Sequence, residues 1–197
     1  MAHYFTDNSN LKSEEFVFEC NALNSVFKFT SDNGVFSKTH LDFGSLLLIE
    51  EFKNPDIEGL LLDLGCGVGV IGTILGKVYD REVVFTDINP RAIELTKKNA
   101  SSYNIKFNAF ETNCLDGVND TFSCILTNPP IRAGKKVIYN FFDEAYAHLK
   151  VGGELWFVMR RNHGVESAIK KIDELFKNSE VVKRKNGFWI VKAIKLK

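Results

Sequence analysis

The segment Asp63-Leu64-Gly65-Cys66-Gly67-Val68-Gly69 combines a carboxylate with three glycines at alternate positions. Glycines permit a tight turn and let a ligand approach the backbone closely. Gly67 to Gly72 also fit the G-x-G-x-x-G dinucleotide pattern, a weak signal on its own. The additional Gly65 and the acidic Asp63 point elsewhere. A carboxylate this close to the loop repels a pyrophosphate and suits a ligand that carries an ammonium group, as the methionine part of S-adenosylmethionine does. About two dozen positions further on, Asp87 closes the next apolar run, where a ribose is gripped through its two hydroxyls. NAD and S-adenosylmethionine share that ribose, so Asp87 does not separate them, and it can also cap the following helix. Ile88 belongs to the same loop. Asn113 and Cys114, after a third run, would lie beside an adenine, although Thr112–Cys114 reads equally well as a simple turn. The expected donor-binding set is Asp63, Gly65, Gly67, Gly69, Asp87, Ile88, Asn113 and Cys114, together with Asn128.

The catalytic expectation rests on Asn128, Pro129 and Pro130, which follow the apolar run Cys124–Thr127. Two prolines fix two φ angles, and Pro129 drives Asn128 out of the helical region. A stiff loop then holds one amide and its neighbouring carbonyls at a strand end. An exocyclic amine conjugated to a base or a carbonyl is a poor nucleophile, because its lone pair is delocalised. If the Asn128 side-chain oxygen and the Pro129 carbonyl accept its two N–H bonds, the nitrogen is drawn toward tetrahedral geometry. Its lone pair can then meet a sulfonium methyl group in line. That is catalysis by positioning and electrostatics, with no covalent enzyme intermediate and no strong base. The tripeptide alone also describes an ordinary turn; its weight comes from its place after the glycine loop.

These loops can share one site only if the runs before them lie side by side. Leu60–Leu64, Val83–Thr86, Lys106–Phe110, Cys124–Thr127 and Leu155–Met159 read as strands buried on both faces. Asn89-Pro90 is a strong helix start, and that helix runs to about Ala100. Further helices are expected over Leu41–Phe52, Val137–Leu149 (closed by Gly152-Gly153) and Val165–Phe176. Val181–Lys185 and Phe188–Ile194 flank Asn186-Gly187, a hairpin signature. Phe16–Cys20 and Val26–Thr30 form a second small hairpin around Asn21–Ser25. The alternation predicts an α/β, Rossmann-like fold with a mostly parallel sheet and its last strand antiparallel, in which ligands sit at the carboxyl ends of the strands. Residues 1–35 form an N-terminal hairpin extension and residues 36–197 a single folded domain.

Composition narrows the classes. The 197 residues are 45% hydrophobic, enough for one sizeable core. No apolar run is long enough to span a bilayer, and Met1 to Tyr4 start no secretory leader, so a cytoplasmic protein is expected. The four cysteines form no C-x-x-C pair and the four histidines show no ligand spacing, so neither a disulfide framework nor a metal is expected. Lys+Arg and Asp+Glu both number 25, which excludes a global positive field for nucleic acid but not a local one.

The ordered motifs Asp63 to Gly69, Asp87, Asn128-Pro129-Pro130 and Leu149–Gly153 resemble those of class I methyltransferases of the amino-group type. Within that class, Gly34–Ser37, Asp42–Ser45, Asn128–Lys135 and Gly187-Phe188 resemble the RsmC-type family of ribosomal small-subunit RNA guanine-N2 methyltransferases. The resemblance implies a seven-stranded sheet, S-adenosylmethionine as donor, and guanine in 16S ribosomal RNA, free or in the small subunit, as acceptor. The longer bacterial members carry an additional N-terminal methyltransferase-like domain, for which this chain has no room. Many amino-methyltransferases place an aromatic after Asn-Pro-Pro to stack on the base, where this chain has Ile131. Methylation of a protein glutamine or of a small-molecule amine is the alternative chemistry. A non-catalytic module that binds the donor or RNA is the alternative of another class. For an RNA acceptor, a basic collar is expected from Arg132, Lys135 and Lys136, from Arg160, Arg161 and His163, and from Lys183, Arg184 and Lys185. Asp56, Glu58, Asp173 and Glu174 are expected away from it. Phe36, Lys38, Ile131, Arg132, Lys135, Arg160 and Arg161 are the expected substrate contacts, with Phe36 as the stacking ring.

Overall fold

The computed structural model describes residues 12–35 and 40–197. Strands β1 (Phe16–Ala22) and β2 (Ser25–Ser31) pair as an antiparallel hairpin. Then come α1 (Phe43–Glu51), β3 (Leu60–Leu64), α2 (Val70–Tyr79), β4 (Val83–Asp87), α3 (Pro90–Ser102), β5 (Phe107–Glu111) and β6 (Phe122–Thr127). The chain finishes with α4 (Lys135–His148), β7 (Leu149–Arg160), α5 (Val165–Phe176), β8 (Glu180–Lys185) and β9 (Phe188–Ile194).

Seven strands form one sheet in the order β5-β4-β3-β6-β7-β9-β8. The pairs among β5, β4, β3, β6 and β7 are parallel, and β9 is antiparallel to both its neighbours. β3 and β6 are central, which explains their near-continuous apolar sequences: β6 is buried throughout. β5 is an edge strand and is largely exposed, so it does not share the two-sided burial expected for it. Alternate side chains divide the core. Leu61, Phe85, Trp156 and Ile190 face α1, α2 and the hairpin on one side; Leu62, Val84, Phe157 and Val191 face α4 and α5 on the other.

The hairpin belongs to the first of these cores. Phe27 and Phe29 pack on Tyr103, at the end of α3, with ring centroids 5.4 and 5.8 Å away. The Tyr103 hydroxyl accepts from Lys28 N at 2.6 Å and donates to Lys28 O at 3.0 Å.

The boundary after α4 differs from the sequence expectation. The helix ends at His148 and β7 begins at once, running through Gly152-Gly153 rather than stopping before them. Both glycine peptides are held by the chain end: Gly152 N donates to Lys195 O, and Lys195 N donates to Gly153 O. Among the described residues, no helix is long and apolar enough to cross a membrane, no cluster of His, Cys, Asp or Glu can hold a metal, and all four cysteines are free.

Candidate active site

A cleft of about 1010 Å³ opens at the carboxyl ends of β3, β4, β6 and β7. A pocket for one small ligand is commonly 300–1,000 Å³. This cleft therefore has room for a donor and part of an acceptor.

One wall is the glycine loop between β3 and α2. Gly65 N and Cys66 N both donate to Thr86 O, at 2.8 and 2.9 Å, tying the loop to the end of β4. Gly65, Gly67 and Gly69 have φ of 70°, 57° and 77°, the left-handed region that only glycine enters freely. Gly65 and Gly67 line the cleft. Gly69 caps α2 outside the wall, where a Cβ would stand 2.8 Å from the Thr96 methyl.

Asp63 lies under the loop, only 1% exposed, and does not reach the wall. Its carboxylate accepts from Gly72 N at 2.8 Å. Burial pushes its pKa up to about 8; the Gly72 bond opposes this and the nearby Asp87 adds to it. Asp63 thus shapes the loop from beneath rather than presenting a charge to the cleft. Asp87 does line the cleft. It accepts from Gly67 N at 2.8 Å and Asn89 N at 2.9 Å, and burial raises its pKa against those bonds. A carboxylate has about four lone-pair sites, so acceptor capacity remains for a ribose hydroxyl. Ile88, Asn113 and Cys114 continue the same wall. Thr86 Oγ1 is buried in it without a hydrogen-bond partner among the described residues. An unsatisfied hydroxyl, a spare carboxylate valence and a glycine floor together fit a polar nucleoside ligand.

The opposite wall carries Asn128, Pro129 and Pro130 after β6. Thr127 Oγ1 donates to Leu64 O at 2.8 Å, which fixes the end of β6 to β3. Asn128 Nδ2 donates to Asp42 Oδ2 at 3.2 Å and to Ser45 Oγ at 3.0 Å. A carboxylate can only accept, so the amide orientation is chemically determined, and Oδ1 is the acceptor that Asn128 presents to the cleft. Asp42 does this while capping α1 through Gly44 N and Ser45 N. Neither Asp42 nor Ser45 was expected as a site residue. An aspartate just before an apolar helical run reads as an N-cap, and its second oxygen is invisible at that level.

The substrate candidates divide. Ile131, Arg132 and Arg160 line the cleft, as does His163. Lys135 and Arg161 do not: Lys135 lies 5.0 Å from the Tyr139 ring centroid, and Arg161 pairs with Glu166 at 3.5 Å. Lys136, Lys183, Arg184 and Lys185 are also outside the wall, with Lys183 paired to Glu51 at 3.3 Å. The collar is therefore narrower at the cleft than the sequence suggests. Asp56 lines a separate depression with Gly152 and Glu154, at the other end of the strands. Phe36 and Lys38 lie outside the described residues. Phe43, Phe141, Met159 and Phe188 also line the cleft and were not expected there.

A Rossmann-like sheet ending in an antiparallel strand, with a glycine loop, a ribose-type aspartate and Asn-Pro-Pro on successive strand ends, defines a class I methyltransferase. The chain belongs to the methyltransferase small domain family, whose model matches residues 26–192; the family uses S-adenosylmethionine. It is 44% identical to the uncharacterized protein YbxB of Bacillus subtilis, over 98% of both chains. It is 31% identical to ribosomal RNA small subunit methyltransferase C of Psychromonas ingrahamii, over 96% of this chain and 54% of that one. Among solved structures, it resembles the T. thermophilus 16S rRNA N2 G1207 methyltransferase in complex with AdoMet and guanosine. That match has a TM-score of 0.81 at 25% identity and covers 94% of this chain and 52% of the other. The chain thus spans about half the length of the ribosomal RNA methyltransferases it matches.

Proposed function

We propose that this protein transfers a methyl group from S-adenosylmethionine to N2 of a guanine in 16S ribosomal RNA. The observation that carries the reading is the Asn128 amide, locked by Asp42 and Ser45 so that its oxygen faces the cleft shared with Asp87 and the glycine loop. The likeness to a T. thermophilus enzyme named for that reaction supports the choice of acceptor.

When bound, the donor supplies an electrophilic methyl group on sulfur. Asp87 holds a ribose hydroxyl with the acceptor capacity that its backbone bonds leave. Gly65 and Gly67 let the backbone close on the donor without a Cβ between them. Asn128 Oδ1 accepts one N–H of the acceptor amine and the Pro129 carbonyl the other. The nitrogen lone pair is thereby released from the ring and aimed across the cleft. Because these acceptors are fixed before substrate arrives, little reorganisation is needed at the moment of reaction. The methylated nitrogen is transiently cationic and gives up a proton to water at the cleft mouth, so no buried base is required. Arg132 and His163 at the rim suit the phosphates around the target base.

The test is methylation of 16S ribosomal RNA and of small subunits with labelled donor, followed by nucleoside analysis. N2-methylguanosine in either substrate supports the reading. Label in protein, or in no RNA nucleoside, overturns it.

A further inference from the structure

Ile131 leaves the acceptor without the aromatic that would ordinarily follow Asn-Pro-Pro, so its stacking surface must come from another element. Among the described residues, three phenylalanine rings line the cleft: Phe43, Phe141 and Phe188. Phe141 is 7% exposed and abuts Gly65, where a Cβ would stand 3.0 Å from its Cε2. It therefore sits behind the glycine loop, on the donor side. Phe43 and Phe188 lie together, with centroids 5.6 Å apart, beside the turn that holds Asn128.

That turn fixes their distance from the reacting group. A Cβ on Gly44 would lie 2.7 Å from Phe188 Cε1 and 3.0 Å from Asp42 Oδ1. The same Asp42 carboxylate accepts from Asn128 at 3.2 Å. One aspartate thus separates the amine-orienting amide from the Phe188 ring.

The ring does not stand alone. Arg160 ends β7, Phe188 begins β9, and the two are directly paired in the antiparallel register. On its other side Phe188 is paired with Lys185. Directly opposite residues in an antiparallel pair project from the same face within about 5.5 Å of one another. The register therefore sets a cation, a ring and a cation in a row. The Arg160 guanidinium carbon lies 4.5 Å from the Phe188 ring centroid. Neither Arg160 nor Lys185 has a carboxylate partner among the described residues, whereas Arg161 and Lys183 are paired. A planar guanidinium layered on an aromatic ring, flanked by a second unpaired cation, is the composition with which proteins stack single-stranded bases and hold their phosphates.

We propose that Arg160, layered on Phe188, is the platform on which an unpaired purine of RNA lies while its exocyclic amine reaches Asn128, and that Lys185 meets the adjoining phosphate. The proposal rests on the RNA-acceptor reading above. It replaces the missing aromatic at 131 with a pair contributed by the neighbouring strands β7 and β9.

The probe is a short single-stranded oligoribonucleotide carrying one 2-aminopurine, which keeps the 2-amino group and loses fluorescence on stacking. It is titrated with the full chain in the presence of S-adenosylhomocysteine. The parent protein should quench it. Stacking of this kind is worth roughly five- to 150-fold in affinity, so Phe188→Ala and Arg160→Ala should weaken binding by about that much. Arg160→Lys keeps the charge of an exposed side chain but not the plane, and should keep some binding while losing most of the quench. Phe188→Tyr should retain both. Donor affinity, by calorimetry, should be unchanged in all four, which separates loss of the platform from loss of the fold. No quench by the parent protein, or an undiminished quench in Arg160→Lys, overturns the platform. Quench without methylation of ribosomal RNA keeps the platform and removes the guanine-N2 reading; N2-methylguanosine formation with an undiminished Arg160→Lys quench does the reverse.

Discussion

Asp42→Asn is the sharpest perturbation the site allows, because it changes hydrogen-bond polarity and charge with almost no change in shape. Asp42 Oδ1 caps α1 at Gly44 N, 2.9 Å away, while Oδ2 accepts from Asn128 Nδ2 at 3.2 Å. Asparagine caps a helix as well as aspartate does, so the variant should lose less than about 1 kcal/mol of stability. With its oxygen still on the cap, residue 42 now aims an N–H₂ group at Asn128 Nδ2. Two donors cannot share a bond. Asn128 must turn its amide over, and Ser45 Oγ, 3.0 Å from Nδ2, can donate to the inverted amide as readily as it now accepts. The cleft then receives N–H groups where it had offered an oxygen. The anchoring bond to a charged group is worth about 1.5–3 kcal/mol, or roughly 10- to 150-fold. Removing a preorganised transition-state contact costs about 100- to 1,000-fold in turnover. The ranges overlap near 100-fold, which is the expected loss in single-turnover rate with labelled donor. Thermal unfolding and donor affinity should stay close to the parent. A rate within about threefold of the parent, in a folded variant that binds donor, refutes the locked-amide argument.

Asn128→Ala should lose on the order of 100-fold in turnover while keeping donor affinity and fold; an unaffected rate would show that the nitrogen is held by something else. Asp63→Asn tests the buried carboxyl by pH. The unfolded chain releases this proton near the ordinary value of 3.8 and the folded chain near 8, so the folded state holds more protons between them. Stability of the parent should therefore fall as pH rises from about 4 to 8. The variant, which cannot titrate, should follow a flatter curve, with Asp87 supplying what slope remains; an unchanged slope in melting temperature removes Asp63 as its source. Gly72→Ala should destabilise by about 1–3 kcal/mol, because its Cβ would run into Phe85 and stand 2.9 Å from Val83 Cγ1. A denaturant midpoint equal to the parent's would mean that α2 can lift off β4 at no cost.

Central strands and the loops after them were legible because burial on both faces leaves an apolar run, and β3, β4 and β6 show one. Helix α3 was legible from its Asn89-Pro90 start, and α1 from its apolar spacing. Helix α2 was not: it carries Gly72 and Gly76, poor helix formers that read as loop. The structure supplies the reason for them, since a Cβ at Gly76 would stand 2.6 Å from Val83 Cγ2. The helix trades propensity for close contact with β4, which no local pattern records. The start of β7 was misplaced for a similar reason. Gly152-Gly153 normally signals a helix stop, and only the pairing with Lys195 reveals a strand passing through. At the site, Phe188 looked like the start of an ordinary strand. Its proposed use depends on the register that sets it opposite Arg160, a long-range fact.

Three asparagines tie together the elements around the cleft, and they differ in what their side-chain oxygens meet. Strand-end loops leave backbone groups unpaired, and burying those groups unpaired is costly. An amide supplies both donors and an acceptor without a net charge. Asn99, on α3, donates to Thr30 O and Val68 O, both at 2.9 Å, and accepts from Thr30 N at 2.8 Å, joining the hairpin to the glycine loop. Asn89 donates to Gly34 O at 3.0 Å and accepts from Arg91 N at 3.0 Å, joining the segment after the hairpin to α3. In both, Oδ1 is spent on the protein, and both are buried. Asn128 also ties two elements together, but through its N–H₂ group alone, and it is only partly buried. No backbone N–H among the described residues claims its oxygen. The same residue type therefore works as structural cement at 89 and 99, and at 128 leaves its oxygen available for the acceptor role proposed above. What decides between those roles is whether the partners supplied by the fold are donors or acceptors.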